Sequence, residues 1–600
     1  IWGEYQIIKG LTFKSIYSND FRVNIYEYFM PDHIKLNSIP IGNSNTSRWI
    51  DWTFQNTLTY DFAVAKDHAI NFLLGQSADE HSYYNISASA TGFPNNLVRT
   101  LNVAATPTEA STFKDRSTTA SYFGRVSYNY KDRYLLNATV RRDGSSRFGG
   151  NNKWGTFPSV SAGWKLNEES LMSDIDWLSL LKLRVSWGMA GNDRIGNYDY
   201  MSLLRVDNTV WNNTIQVGLA PNNIGNEDLK WETTETTNFG LDLSVFQNRI
   251  QLNLDYYINK TKDLLFNTPV PYASGFSSIR TNLGEVENKG WEIDLNTVNI
   301  SGKFRWTSTL NLSHNQNEVI DMGEIKQFVE TNWDGQFLTR VGGPVSQFFV
   351  YRTNGILLPT DFDDNGKAIV PIMPGQIAGN TKYVDQLTID SDGDGIMDKA
   401  DGIINSSDLA PYGSNLPDLM YGFSNRFEYK GFELSTLLQG QFGGEVLFLG
   451  SRQMDIGLFE ANQLKRWVRC WKPDYEAIYG EGENPIPSIP GVDMSWDGYT
   501  PFSLAGKNEN NSDLRIYDAT FFKIKNISLT YNFPKSIFGK SPLKAAKAYI
   551  SIDNLATFDN NYPGVTTETN TFGNDATQLG VDYVTYPHSK RYTVGVNLTF

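Results

Sequence analysis

One cysteine, Cys470, is all that 600 residues contain, so no internal disulfide and no cysteine-based zinc site can form. Histidine is almost as scarce. His33, His68, His81, His314 and His588 are scattered, and no HExxH pair occurs. No run of about 18 apolar residues appears anywhere, which excludes a transmembrane helix. There is no Walker A loop, and Ser159-Val160-Ser161-Ala162-Gly163 lacks the first glycine of a nucleophile elbow. Carboxylates abound, but nothing in the sequence sets a pair across a cleft as glycoside hydrolysis requires. The chain reads as a non-enzyme. A net charge of -14 argues against nucleic acid as a partner. The opening Ile1-Trp2-Gly3-Glu4 has neither an initiator methionine nor a signal sequence, so the expectation is a piece of something longer.

What the chain does have is aromatic rings, 14% of its residues, beside a mean hydropathy of only -0.39. That pairing fits strands with one face on lipid and the other on water. The final stretch, Ser589 to Phe600, puts Tyr592, Val594, Val596, Leu598 and Phe600 on one face. Arg591, Thr593, Gly595, Asn597 and Thr599 fall on the other. Alternation recurs upstream in 11–30, 120–130, 250–258, 291–296, 304–312 and 526–533. About 16 complete strands, plus a fragment over Tyr5 to Ile8, are expected from the alternation rule. Their connections sort by length. Short ones at Lys131-Asp132, Gln247-Asn248-Arg249, Ser301-Gly302-Lys303 and Tyr429-Lys430-Gly431 alternate with long ones near 191–231, 322–417, 449–514 and 559–587. Short turns at one end and long loops at the other mark an outer-membrane barrel. The expected fold class is therefore all-β, a transmembrane antiparallel β-barrel filling residues 1–600, with both chain ends on the short-turn, periplasmic side.

Several stretches resemble the SusC/RagA family of TonB-dependent outer-membrane transporters of Bacteroidetes. The most specific is Arg141-Arg142-Asp143-Gly144-Ser145-Ser146-Arg147-Phe148-Gly149, with Phe157-Pro158-Ser159-Val160-Ser161-Ala162-Gly163-Trp164 just downstream. Others are Leu229-Lys230-Trp231-Glu232-Thr233-Thr234, Asn282-Leu283-Gly284-Glu285-Val286-Glu287-Asn288-Lys289-Gly290 and Tyr429-Lys430-Gly431-Phe432. The resemblance implies a plugged barrel of about 22 strands, of which this chain would begin near the sixth. It implies a plug, a TonB box and an N-terminal extension outside this chain. It further implies import of oligosaccharides or peptides across the outer membrane of a Gram-negative bacterium, energised through TonB. A SusD-like surface lipoprotein would be the partner, and two such transporter–lipoprotein pairs would associate. A passive porin is the alternative reading, with a surface adhesin or extracellular hydrolase behind it.

One loop carries metal-type spacing. From Asp390, carboxylates at Asp390, Asp392, Asp394, Asp398 and Asp401 occupy positions 1, 3, 5, 9 and 12 of an EF-hand-like loop. Ile396 would offer its backbone carbonyl, and Gly395 the sharp turn. Structural Ca²⁺, stapling the long extracellular loop 322–417, is the expectation. The cluster Asp361, Asp363, Asp364, Asn365 and Gly366 has poor ligand spacing and reads as a turn. In the loop 449–514, Leu464, Trp467, Val468 and Trp471 sit at helical spacing within Phe459 to Lys472, and Pro485, Pro487 and Pro490 stiffen the chain beyond. Arg125, Arg141, Arg305, Asp255, Glu292 and Asp294 would face the lumen. Trp211, Trp333 and Trp496 are loop aromatics of the type that packs on sugar or peptide faces.

Overall fold

The computed structural model describes residues 1–34, 39–172, 174–332, 335–392, 394, 396–454, 462–472, 493, 495–498, 500–501, 511–539, 541–573 and 575–600. Phe459, Trp333, Gly395, Pro485, Pro487 and Pro490 lie outside them. Among the described residues the principal antiparallel sheet has 17 strands, the seven-residue Trp2–Ile8 included. Among the described residues no helix is long and apolar enough to cross a membrane. The chain divides into two compact units, Ile1–Asp242 with Tyr257–Val286, and Leu243–Tyr256 with Glu287–Phe600.

In the first unit β1 (Trp2–Ile8), β2 (Leu11–Met30), β3 (Ile41–Val64), β4 (His68–Thr91), β5 (Thr106–Tyr130), β6 (Tyr134–Ser145), β7 (Trp154–Lys165) and β8 (Leu178–Asn192) form an up-and-down meander, each paired to the next. Register is set by the apolar residues. Phe54 lies opposite Ala78, Leu58 opposite Leu74 and Phe62 opposite Ile70, all on one face. The other face is polar and bonded across strands. Asn85 donates to Asn45 Oδ1 (2.7 Å) and Ser47 Oγ (3.0 Å), and His81 meets Asp51. The hairpin at Lys131-Asp132 has φ near +55° at both residues, the primed-turn geometry whose twist matches the strands.

In the second unit β9 (Phe304–Asp321), β10 (Leu419–Tyr429), β11 (Phe432–Phe442), β12 (Phe521–Asn532), β13 (Ala545–Asp559) and β14 (Arg591–Thr599) again pair in chain order. Tyr429 pairs with Phe432 around a two-residue turn, Lys430-Gly431, both at positive φ. The last strand carries the expected apolar face in the open. Val594 is 77% exposed, and Tyr592, Val596 and Leu598 beside it are also exposed. A row of exposed aliphatic side chains on a regular strand suits lipid and not water. Val594→Arg is therefore expected to cost roughly 2–4 kcal/mol of insertion free energy near the bilayer midplane. Asn597→Arg, on the polar face, should cost little. Folding titrations into lipid vesicles measure both, and equal tolerance would defeat the lipid-facing assignment.

The long connections of the second unit build a core of their own. Phe337, Phe348 and Val350 come from 322–417, Leu447, Leu449 and Ile516 from 443–520, and Val581 from the segment before β14; all are buried together. Backbone pairing fixes them, with Leu447 parallel to Val581 and Val446 antiparallel to Tyr517. The helical segment expected within 459–472 is helical over Lys465–Arg469, but as a 3₁₀ helix. Trp467 is buried, and Leu464 packs on a second cluster of Val446, Phe448, Ala519 and Tyr562. Tyr562 donates to the buried Asp582 (2.6 Å); burial first, then that bond, pushes the phenol far above its ordinary value. Loops with a packed apolar core and paired backbones are ordered structure, not a solvated fringe.

Candidate functional site

Three of the family-like stretches meet at one node in the first unit. Phe148 is fully buried with Leu229 and Ile195, and its ring lies 5.3 Å from that of Trp231. Arg147 donates to Asn197 Oδ1 (2.8 Å) and pairs with Asp193, which also accepts from Ser145 Oγ (2.7 Å). Gly149 cannot be replaced freely, because a Cβ there would meet the Glu227 carbonyl oxygen at 2.5 Å. Asn282 closes the node from a third stretch. It accepts from the Lys230 N–H (2.9 Å) and donates to the carbonyls of Lys230 (2.8 Å) and Asp263 (2.9 Å). Arg141 serves elsewhere, holding Asp143 (2.7 Å) and Ser121 (2.9 Å). The node's polar groups are spent on one another, so its role is to anchor the connections that leave the strands.

One such connection, 193–231, carries a projecting ribbon. Leu204–Val206 pairs with Leu219–Pro221, and Thr209–Trp211 with Thr214–Gln216 around an Asn212-Asn213 turn at φ +50° and +60°. Trp211 is 75% and Val217 78% exposed, and Leu204, Val206, Val210, Ile215 and Leu219 are exposed as well. Sequence reasoning named Trp211 but missed the ribbon. Its signal was the Asn-Asn pair between two alternating runs.

The acidic loop is closed by a short ladder, Leu387 opposite Ala400 and Ile389 opposite Lys399. Within it Asp390, Asp392 and Asp394 each bring an oxygen within 4.8 Å of the others. Asp398 accepts from Ser391 N (2.9 Å) and Oγ (2.6 Å), and those bonds hold its carboxyl below the usual range. Asp394 accepts from the Ile396 N–H and Asp401 from the Ile403 N–H, both at 2.8 Å. So three of the five carboxylates converge, while Asp398 and Asp401 are engaged locally. The other cluster forms a turn, with Asp363 accepting from Asn365 and Lys367 N–H (2.9 Å each) and Asp361 from Lys382 (2.9 Å).

On the polar face of the second unit, Asp255, Glu292 and Asp294 line a hollow of about 400 Å³ with Asn253 and Asn311. Asp294 accepts from Asn311 (2.5 Å) and from Asn296. Arg305 approaches Glu428 at 3.9 Å, and in the first unit Arg125 donates to Asn71 (3.2 Å). Trp496 donates to the Thr500 carbonyl (3.1 Å). The six charged residues expected on the polar face thus sit among polar partners.

A family model described as TonB dependent receptor-like, beta-barrel matches residues 4–443. The chain belongs to that family. TonB-dependent receptor P39 of Formosa agariphila is 31% identical over 99% of this chain and 57% of its own length. TonB-dependent receptor SusC of Bacteroides thetaiotaomicron is 29% identical over 82% of this chain and 45% of its own length. The chain thus spans about half the length of the curated relatives it matches. Among solved structures, that of the RagAB peptide transporter covers all of this chain and 61% of its own, with a TM-score of 0.83 at 24% identity. Within the TonB-dependent receptors this barrel is thus similar to SusC in sequence and to the RagAB transporter in fold. It resides in the outer membrane of a Gram-negative bacterium, and its family is one of transporters and not of enzymes. The polar face described above is the one a TonB-dependent barrel turns to its lumen.

Proposed function

We propose that the full-length protein imports a bulky nutrient, an oligosaccharide or a peptide, across the outer membrane in a TonB-dependent manner, together with a SusD-like surface lipoprotein. The observation that carries this reading is the ribbon at 204–221. A lone two-stranded ribbon is marginal in water, and this one leaves seven large apolar side chains exposed on the first unit. Such a surface supports a permanent partner, and permanent complexes bury more than roughly 2,000 Å². Tryptophan is the side chain most often central to such contacts, at about 2 kcal/mol or more. Trp211→Asp with Val217→Asp is expected to reduce lipoprotein co-purification at least roughly tenfold while leaving the barrel inserted. Gentle detergent extraction and mass measurement are the test. A wild-type barrel recovered alone, repeatedly, would overturn the reading.

The acidic loop fits structural calcium as part of the same proposal. Asp390, Asp392 and Asp394 supply converging hard oxygens; by the EF-hand-like spacing, Asp398, Asp401 and the Ile396 carbonyl would have to turn toward the ion to complete the set. Three carboxylates so close repel one another without a cation between them. Replacing Asp390 and Asp394 with Ala is expected to speed hydrogen exchange across 322–417 in calcium buffer, with β-sheet content unchanged. Chelation of wild type should have the same effect. An exchange pattern indifferent to both treatments removes the metal from the account.

A further inference from the structure

We infer that the lipid-side face of the first unit, where its strands rise beyond the membrane, binds the acidic saccharide core of an outer-leaflet glycolipid through Arg48 and Lys114. Such a site is independent of what the protein imports and needs only its place in the outer membrane. Val23, Arg48, Tyr84 and Lys114 lie directly opposite one another on β2, β3, β4 and β5. No bulge separates Arg48 from Phe54, Leu58 and Phe62, so it shares their apolar face. Lys114 likewise shares the face of Ala120, Val126 and Tyr128.

Both cations are exposed, and both rest on one ring. The Arg48 guanidinium carbon and the Lys114 ammonium are each 5.4 Å from the Tyr84 ring centre, and the aromatic face holds them in place. Among the described residues neither is ion-paired. Glu80, on the same face, is held by Arg116 (2.8 Å). Asp51, Asp79 and Asp115 have the opposite parity and belong to the polar face. Two cations gathered on one ring without a counter-ion, in a chain of net charge -14, attract an anion from outside.

Height selects the anion. Tyr130, Tyr134 and Trp164 stack ring on ring beside the short Lys131-Asp132 turn and form one aromatic girdle. Tyr122 and Trp154 stack further along the same face, with Arg142 over Trp154, and form the other. Along β5 the girdles are about 27 Å apart, or about 20 Å in height at the usual tilt, close to the apolar band of such barrels. Lys114 lies as far again beyond Tyr122, about 20 Å outside that band. At 24 and 25 residues, β4 and β5 are long enough for this, since about 9–11 residues cross the membrane. Phospholipid head groups reach only about 5–8 Å past the hydrocarbon. A membrane lipid that meets Arg48 and Lys114 must therefore carry its phosphate or carboxylate groups on a saccharide. The face continues the lipid-side wall, so the surrounding lipid layer is its first neighbour.

The test uses the full-length protein, extracted mildly and freed of bound lipid. It is titrated with rough lipopolysaccharide carrying a phosphorylated inner core, with lipid A lacking that core, and with phosphatidylglycerol. Native mass spectrometry reads the adducts. Wild type should bind the core-bearing lipid at least roughly tenfold more tightly than either of the others. Arg48→Gln with Lys114→Gln should remove that preference, Arg48→Lys should keep most of it, and added salt should weaken it. Heat-modifiable mobility checks that each variant is still a folded barrel. Equal binding of the three lipids, or a preference that survives the double substitution, overturns the site. A protein partner or second copy lost from the double variant, with lipid binding unchanged, gives the face to a protein and overturns the lipid assignment.

Discussion

Phe148→Ala should destabilise the outer end of the first unit by about 3–5 kcal/mol, the range for truncating a fully buried phenylalanine. The ring is at 0% exposure, enclosed by Leu229, Ile195 and Trp231. Its removal leaves a void that neighbours cannot fill, because the strand ends on either side are fixed by their ladders. The Arg147–Asp193 pair and the Asn282–Lys230 bonds would then hold connections that no longer share a core. Local hydrogen exchange at 193–231 in the reconstituted protein reads the loss. Phe148→Leu should recover more than half of it. Trp211→Ala in the same unit is the contrast, since an exposed ring in an unbound ribbon should change stability by no more than about 0.5 kcal/mol. A Phe148→Ala protein with native exchange at 193–231 would show that the node is ornamental.

Where alternation is strict and the turns are punctuated, the fold could be read directly. Leu11–Met30 begins and ends where the sequence places it, because Lys9-Gly10 signals the turn and apolar residues recur at alternate positions. The closing strand and the Lys430-Gly431 hairpin were equally legible, through local chemistry alone. The acidic loop was legible as a spacing, but not which of its carboxylates converge. That depends on Ser391 competing for Asp398, a contact within the loop that no ligand pattern encodes. The node of Phe148, Trp231 and Asn282 was visible only as three separate motifs, since their meeting is set by non-local pairing. β12 shows the limit most clearly. Its alternation is readable from Asn526 onward, but a bulge between Ile524 and Asn526 changes the parity. Phe521 and Lys523 therefore share the face of Asn526 and Ser528, which a strict period-two reading assigns to the opposite side. The buried Lys523–Glu568 ion pair, between β12 and the connection before β14, is placed by that one extra residue.

Removing one member of that pair is the other large effect expected. Glu568→Ala leaves the Lys523 ammonium at 1% exposure without its carboxylate partner, with His588 beside it. Breaking a buried pair in this way costs about 3–5 kcal/mol, because an uncompensated charge stays in the interior. The connection 559–587 is the softer side of the contact, so it should lift from β12 and let water reach Lys523. Lys523→Met is expected to cost less, since Glu568 is 22% exposed and regains solvent when its partner goes. The combination of Lys523→Met with Glu568→Gln should be milder than Glu568→Ala alone, as it removes both charges and keeps the volume. Limited proteolysis within 559–587 of the full-length protein gives the order, wild type slowest and Glu568→Ala fastest. If Lys523→Met opens the loop as readily as Glu568→Ala, the connection 559–587 is held by its backbone and not by charge.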